Sequence, residues 1–380
     1  MKGKWKRWLV LCIVCLTCTG AWAAEALKVA VLMPLKEQSP RGETVLEFYQ
    51  GLLMAVAQLK SEGQSVDVYA LDTGADEAQM QNVLRNSMLT KMDVIFGPAD
   101  GGQIAPLADF CQQHGIRMVM PFNTPCNQLY SNPWIYQVGV AQEQLYPGIT
   151  LLVMNQMENS NFVIFHTGEQ DERGLSFTGH LTQVFSLRQM QVTNLHANAD
   201  ERAYEQALNQ FRENVIIPDS RSMKAVKDLL AGVKAFQANY PQYRVKLLGY
   251  PEWLTYTSVL LKDFYTFDAR VFSAYYRNPL SGRVLKFEQQ FRQNFGKQSR
   301  NSFPRAEMLG YDLGCYFLRG LARYGTDFDN QHAAMMAEAQ PLQHHFRFQR
   351  VGEQGGFINL HVQLVHYSTN NTIQVEKSND

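Results

Sequence analysis

Residues 27–126 alternate short apolar runs with amphipathic segments, and this alternation constrains the fold more than any other feature of the chain. The apolar runs have the composition of buried strands and are Val29–Leu32, Val66–Leu71, Val94–Phe96 and Met118–Met120. The segments between them carry apolar residues at helical spacing. The pattern recurs over 161–275. It predicts an α/β fold of two Rossmann-like lobes, each with a parallel sheet flanked by helices, joined by crossover strands.

Loop chemistry is concentrated where the predicted strands end. Gly97–Gly102 follows the third strand, and Pro121–Pro125 follows the fourth. Open parallel sheets bind ligands beyond the carboxyl ends of their strands. The sequence therefore predicts a binding cleft between the loops of the two lobes.

The first 23 residues have the pattern of a secretion signal. A basic stretch ending at Arg7 precedes the apolar run Trp8–Thr19, and Ala21–Ala23 supplies a small-x-small cleavage pattern. We expect cleavage after Ala23, which places the protein in the periplasm or cell envelope. Two alternatives stay open: an uncleaved anchor, or a lipoprotein modified at Cys18, although the residue before that cysteine is not small.

Composition excludes several classes of partner. Cleavage removes four basic residues and no acid, so the mature chain carries a net charge of about −4. A mildly acidic chain without basic runs argues against nucleic acid, and no second apolar stretch has membrane-spanning length. Cys111 and Cys126 either form a short disulfide-closed loop, or all three mature cysteines, including Cys315, are free and buried.

The chain order predicts which segments build each lobe. Two long helices without an intervening strand, near 287–295 and 306–324, return the chain to the first lobe. We expect lobe 1 to comprise 24–141 plus 281–335, and lobe 2 to comprise 142–280 plus 336–380. The tail is predicted to form a hairpin followed by a half-buried strand through Tyr367.

This order of elements resembles the type I periplasmic solute-binding proteins, the superfamily of the leucine/isoleucine/valine-binding proteins of ABC importers. The resemblance covers the mature chain and rests on four local matches. They are the loop Gly97–Gly102, the turn Pro121–Thr124, the loop Leu248–Trp253 and Gly310-Tyr-Asp312 at the start of a long helix.

The resemblance implies how a ligand would be held. In amino-acid binders of this family the first lobe binds the ligand carboxylate, and an acidic residue of the second lobe binds the ammonium. Carried over, Thr124 and the backbone at Phe122 would hold a carboxylate, and Glu252 would pair with an amine. Such charged partners are what a buried charged ligand needs.

Two departures argue against a plain α-amino acid. Asp100 stands in a loop where the family uses Ser or Thr, and Thr167–Gly174 lacks the family's Tyr but offers three acids and Arg173. A ligand with cationic groups or several hydrogen-bonding groups, such as a peptide or amino-sugar fragment, fits better. An empty, vestigial cleft also fits.

The predicted ligand-binding residues each have a structural alternative. Asp100 could cap the following helix, Arg173 could be a surface charge, and Tyr250, with its neighbours Trp253 and Tyr256, could serve packing. The full set is Asp100, Gly101, Phe122, Thr124, Arg173, Tyr250 and Glu252. The pair His344-His345 lacks a third metal ligand at a useful spacing.

Two hypotheses of function follow from different classes. The first is an envelope solute-binding protein that closes on a small polar ligand and serves an ABC permease or a sensor. The second is a ligand-free scaffold or regulator of cell-wall synthesis, partnered by an envelope protein, in which Phe122, Tyr250 or Trp253 fills the gap. No enzyme motif stands out, and neither a cofactor nor a metal is predicted.

Overall fold

The computed structural model describes residues 25–298, 300 and 302–377. The predicted signal segment 1–23, including Cys18, lies outside the described residues. Within the described part of the chain, no helix combines the length and the apolar character needed to cross a membrane.

The first lobe is built on a seven-stranded sheet. Its parallel strands are β1 (Leu27–Met33), β2 (Val66–Asp72), β3 (Val94–Phe96), β4 (Arg117–Met120) and β5 (Ile135–Gln137). Strand β1 lies between the edge strand β2 and β3, since Val29 pairs with Val68 of β2 and with Val94 of β3. The parallel arrangement places the ends of β1, β3 and β4 at one edge of the sheet.

The second lobe repeats this plan. Its sheet contains β6 (Asn161–His166), β7 (Val192–His196), β8 (Asn214–Pro218), β9 (Val245–Gly249) and β10 (Arg270–Ser273). Four of these strands pair in parallel around β6 and β8, and β10 pairs with β9. The predicted fold class, two lobes with mainly parallel sheets between helices, is therefore confirmed.

Eleven α-helices in the described residues cover the two sheets. They are α1 (Pro40–Ser61), α2 (Glu77–Leu84), α3 (Ile104–His114), α4 (Gln142–Gln156), α5 (Glu172–Leu187), α6 (Glu201–Ala207), α7 (Met223–Asn239), α8 (Thr257–Thr266), α9 (Gly282–Phe295), α10 (Ala306–Tyr324) and α11 (His332–Glu338). Side-chain oxygens of Ser39, Asp76, Asp200 and Ser222 cap four of them. Shorter 3-10 turns cover 87–91, 101–103, 127–130, 251–255 and 325–330.

The last strands divide between the two sheets. They are β11 (Phe348–Arg350), β12 (Phe357–Asn359), β13 (Gln363–Ser368) and β14 (Thr372–Lys377). The first two form the predicted hairpin, but β12 then pairs with β5 of the first sheet. Only β13 and β14 join the second sheet, through β10. The predicted assignment of all of 336–380 to lobe 2 is thus wrong for β11 and β12.

Three chain segments cross between the sheets. They are Val138–Ala141 after β5, Ala274–Ser281 after β10 and Leu360–Val362 after β12. The third breaks the single strand that the sequence predicted through Tyr367. Buried residues continue across it, with only Leu360 partly exposed, because both sheets bury their strands at this point. The sequence pattern therefore carries no sign of the change of sheet.

Helices α1 and α10, which cover the first sheet, pack unusually closely against each other. A Cβ atom placed at Gly51 would lie 1.8 Å from the carbonyl oxygen of Glu307, and one at Gly310 would lie 2.0 Å from that of Phe48. Glycine at both positions lets the two backbones touch. This contact buries the long return helix, as its nearly continuous apolar sequence predicted.

Candidate functional site

The loops at the carboxyl ends of the first sheet place an arginine beside an aspartate. Ser39 caps α1 by accepting a hydrogen bond from the backbone N–H of Gly42 at 3.1 Å, which fixes Arg41 in the first turn. Arg41 Nη2 then lies 2.6 Å from Asp100 Oδ1 and 3.1 Å from the carbonyl oxygen of Ala99. The contact with Asp100 raises the pKa of the Arg41 guanidinium.

The predicted capping role of Asp100 is wrong. Asp100 stands at the N-cap of the 3-10 turn 101–103, but its side chain makes no capping hydrogen bond. Its Oδ1 pairs with Arg41, while Oδ2 is buried without a hydrogen-bond partner in the described structure. Asp100 therefore belongs to the polar surface of the strand-end loops.

Gly101, Thr124 and Phe122 lie on neighbouring loops of the same lobe. A Cβ atom at Gly101 would be 3.6 Å from Thr124 Cγ2, so the loops after β3 and β4 are in contact there. Thr124 is partly exposed. The ring of Phe122 packs edge-on against Phe48 of α1, with centroids 5.5 Å apart, which anchors its loop on the lobe's own core.

The second lobe gathers its charges around Arg221. The backbone N–H of Arg221 donates to Asp171 Oδ2 at 2.8 Å, and its Nε donates to both carboxylate oxygens at 3.0 and 3.1 Å. The other end of the guanidinium reaches Glu252 Oε1 at 2.5 Å. Glu252 Oε2 is buried and accepts no hydrogen bond within the described residues.

Tyr250 is not available to a ligand, which corrects its place among the predicted site residues. Its side chain is fully buried, and its hydroxyl donates to the carbonyl oxygen of Pro218 at 2.6 Å. Burial raises the pKa of Tyr250 well above its ordinary value. Trp253 is equally buried and stacks on Phe264 with centroids 5.5 Å apart. Both aromatics belong to the core of the second lobe.

Arg173 is exposed in the first turn of α5. In the described structure Arg173 forms a hydrogen bond through its backbone carbonyl, which accepts from the hydroxyl of Tyr146 at 3.2 Å. The surface-charge interpretation fits this position better than a contact within the Arg221 cluster.

A second polar cluster surrounds the ends of β6 and β8. Asp219 is nearly buried and accepts hydrogen bonds from the backbone and hydroxyl of Thr167, at 2.9 and 2.7 Å, and lies 3.0 Å from His166 Nδ1. Glu169 accepts from the hydroxyls of Ser220 and Ser222. A cavity of about 530 Å³ opens beside this cluster. These contacts hold the loop 167–171 against the loop that carries Arg221.

Sequence reasoning found Glu252 but missed both arginines. Arg221 follows Asp219 and Ser220 directly after a buried strand, so its position at a strand end was a usable signal. Arg41 had no such signal, because it reaches Asp100 from a helix about sixty residues earlier in the chain. Asp171 was among the acids noted in the 167–174 loop.

The described residues contain no group of three or more His, Cys, Asp or Glu side chains placed to hold a metal ion. His345 lies beside the ring of His361, with centroids 5.2 Å apart, and its Nε2 is 3.1 Å from Lys377 Nζ. Cys111, Cys126 and Cys315 are free thiols.

Comparisons with known proteins identify the fold. No protein-family model matches the chain, and no curated protein matches it in sequence. A branched-chain amino acid ABC transporter protein from Rhodospirillum rubrum superposes with a TM-score of 0.61 at 14% identity, over 92% of this chain and 99% of that one. An ABC transporter substrate-binding protein from Desulfitobacterium hafniense in complex with leucine gives 0.47 at 15% identity, over 92% and 100%.

A leucine-binding protein from Thermotoga maritima gives a TM-score of 0.43 at 16% identity, over 92% of this chain and 98% of that one. At such identities the match establishes architecture alone, and the Rhodospirillum structure carries it. The chain has the fold of the type I periplasmic binding proteins, as the sequence resemblance predicted.

Proposed function

We propose that this chain is a solute-binding protein of the cell envelope, whose two lobes close on a small polar ligand that carries amine or other N–H donors. The supporting observation is shared by both lobes. Each strand-end surface carries a guanidinium–carboxylate pair in which one carboxylate oxygen is buried and accepts nothing: Asp100 Oδ2 in the first lobe and Glu252 Oε2 in the second.

A buried acceptor without a donor is costly, by about 1–3 kcal/mol. A ligand with donors at two places would satisfy both oxygens only when the lobes come together, so its binding energy would favour the closed form. The ligand is therefore an amino acid derivative, peptide or amino-sugar fragment. The three crossover segments, Val138–Ala141, Ala274–Ser281 and Leu360–Val362, are the natural hinges.

The positions of the large aromatics favour a binder over a ligand-free scaffold. A scaffold would fill the gap between the lobes with bulky side chains. Tyr250 and Trp253 instead pack inside the second lobe, and Phe122 packs on Phe48 of the first. The name of the similar Rhodospirillum protein supports delivery to an ABC permease, and the signal-like segment 1–23 supports an envelope location. A binding role without catalysis fits these features.

The test is a thermal-shift screen of residues 24–380 against amino acids, short peptides, polyamines, sugars and amino sugars. A ligand at 100 times its dissociation constant adds about 2.7 kcal/mol to the free energy of unfolding. We expect a hit that weakens at least tenfold in both Asp100→Asn and Glu252→Gln. Glu172→Gln changes an exposed acid in the first turn of α5 and is the matched control.

Two results would contradict the proposal. One is a flat screen from well-folded protein that carries no co-purified ligand. The other is a hit that binds both cleft variants and the control equally, because the ligand would then lie elsewhere.

A further inference from the structure

The first lobe contains a second cavity, which lies along α10. It has a volume of about 490 Å³ and is enclosed by α9, α10, α11 and the segment 339–346. Much of its wall is aromatic or apolar, formed by Tyr311, Tyr316, Met335 and Phe346. It shares no lining residue with the proposed cleft, so the argument below is independent of the proposed function.

The carboxylates of the cavity wall are already occupied. Glu62 accepts hydrogen bonds from Arg319 at 2.6 and 3.1 Å, and Glu338 pairs with Arg323. Asp312 accepts three backbone N–H groups, those of Leu342, Gln343 and His344, at 2.7–2.9 Å. The wall therefore offers a ligand no free acidic acceptor among the described residues.

His344 presents an unused donor. The amide of Gln343 is oriented by Arg305, whose backbone N–H donates to Oε1 and whose carbonyl accepts from Nε2, both at 3.1 Å. Its second Nε2 hydrogen therefore points to His344 Nδ1, 3.1 Å away. Nδ1 is thus an acceptor, and the proton of the neutral ring sits on Nε2.

That Nε2–H group has no hydrogen-bond acceptor in the described part of the chain. The His344 side chain is 9% exposed, and its ring is flanked by Tyr275 and Phe346. Burial lowers the pKa of His344 to about 3, in agreement with a neutral ring. A donor of the cavity wall without an acceptor among the described residues is a group that a ligand can satisfy.

Arg283 adds a positive charge to the same wall. It lies in the first turn of α9 and, among the described residues, forms neither an ion pair nor a side-chain hydrogen bond. The nearby Asp312 is committed to backbone N–H groups. His344 and Arg283 thus present two donors to the cavity, one of them cationic, beside an aromatic and apolar surface.

We propose that this cavity binds an organic carboxylate with an aromatic or aliphatic body. The ligand carboxylate pairs with the guanidinium of Arg283 and accepts a hydrogen bond from the Nε2–H of His344. The apolar body of the ligand packs against Tyr311, Tyr316 and Phe346. Sites of this volume, mostly apolar with a few polar groups, are typical of small-molecule pockets.

Cys315 supplies a local readout because it lines the cavity and is partly exposed, whereas Cys111 and Cys126 are buried. The experiment measures the rate at which methyl methanethiosulfonate modifies Cys315, by mass spectrometry, in the full mature chain. The probe is 4-phenylbutyrate, and its matched controls are 4-phenylbutylamine and 4-phenylbutanol. We expect saturating 4-phenylbutyrate to slow the modification at least tenfold, and the amine to leave it unchanged.

Arg283→Gln tests the charge. It should raise the concentration of 4-phenylbutyrate needed for half protection about tenfold, while Lys286→Gln, one turn further along the exposed side of α9, should not. Three results would each overturn the proposal: no protection by the carboxylate, equal protection by the amine, or identical protection in Arg283→Gln and the unchanged protein. None of these results bears on Glu252 or Asp100.

Discussion

Arg221 and Asp171 are joined by one backbone and two side-chain hydrogen bonds, all between 2.8 and 3.1 Å. Asp171 accepts hydrogen bonds from both the main chain and the Nε of Arg221, and the guanidinium therefore has little freedom to turn. Its remaining edge is thereby aimed at Glu252. Arg221 thus positions Glu252, the carboxylate proposed to bind a ligand amine, and Arg221 itself need not contact the ligand.

Replacing Asp171 with Asn should loosen this arrangement. We expect the free energy of unfolding at pH 7 to fall by about 1.5–3 kcal/mol, the range for hydrogen bonds to charged groups, and ligand affinity to fall with it. Burial acts to raise the pKa of Asp171, but the contacts with Arg221 outweigh it and hold that pKa below its ordinary value.

A lowered pKa fixes the sign of the pH dependence. The stability that Asp171 contributes is present above its unfolded-state pKa, near 4, and is lost as the pH falls through the lower folded-state value. Urea unfolding of both proteins at pH 7 and pH 3 checks this. A difference in unfolding free energy that grows toward pH 3 would contradict the assignment.

The close approach of α1 and α10 makes a second prediction. Gly310→Ala would place a methyl group 2.0 Å from a backbone oxygen, where no side chain can move aside. We expect a loss of about 3 kcal/mol in unfolding free energy, the upper end for overpacking, measured by urea denaturation.

Gly179→Ala is the matched control for this helix substitution. Gly179 lies within α5, and apart from its chain neighbours and the backbone of its own helix no described atom lies within 4 Å of the added methyl group. Alanine should stabilise the helix there by up to about 1 kcal/mol. If both substitutions had the same effect, close packing between α1 and α10 would not be what requires Gly310.

Helix α10 shows what could be predicted from the sequence. Its limits, Ala306–Tyr324, match the predicted ones, because a long apolar helical pattern is decided by burial alone. Strand β7 was predicted at 190–192 and lies at Val192–His196, since this edge strand is half exposed and polar. Strand β14 was missed for the same reason, as nearly all of it is exposed.

The candidate site could likewise be predicted from the sequence only in part. Glu252 and Asp100 were found because each follows a strand within a recognisable loop, but their partners could not be inferred. Arg41 and Arg221 reach these acids across loops that are distant in sequence, and such pairs depend on the packing of whole elements. The burial of Tyr250 was hidden likewise, because an aromatic in a loop has the same sequence signal whether it points inward or outward.

The three mature cysteines should behave as separate thiols. Cys111 and Cys126 are buried and unpaired, and burial raises the pKa of Cys315 to about 11. We expect dithiothreitol to leave the melting temperature unchanged. Native protein should take up reagent at Cys315 only, faster at pH 9 than at pH 7 because the thiolate is the reactive form. A mass shift of two hydrogens on reduction would instead reveal a disulfide.

His366 should make the stability of the second lobe depend on pH. Its Nε2 lies 2.7 Å from Asp268 Oδ1 and its Nδ1 lies 2.9 Å from Glu376 Oε1, and Arg270 pairs with both acids. Lys246 also pairs with Asp268. Burial acts to lower the pKa of His366, but its hydrogen bonds to the two acids raise it above the ordinary value.

A raised pKa means that the charged histidine stabilises the fold below its unfolded-state value, near 6.5, and that this contribution is lost as the pH rises through the folded-state value. The two acids stay ionised throughout, because the network lowers the pKa of both Asp268 and Glu376. We expect His366→Gln to cost about 2 kcal/mol at pH 5.5 and clearly less at pH 9, by urea unfolding. The same substitution at the exposed His114 of α3 should change little at either pH. If the cost of His366→Gln were equal at the two pH values, a neutral histidine would be holding β14 to the sheet, and the ionic description of this network would be wrong.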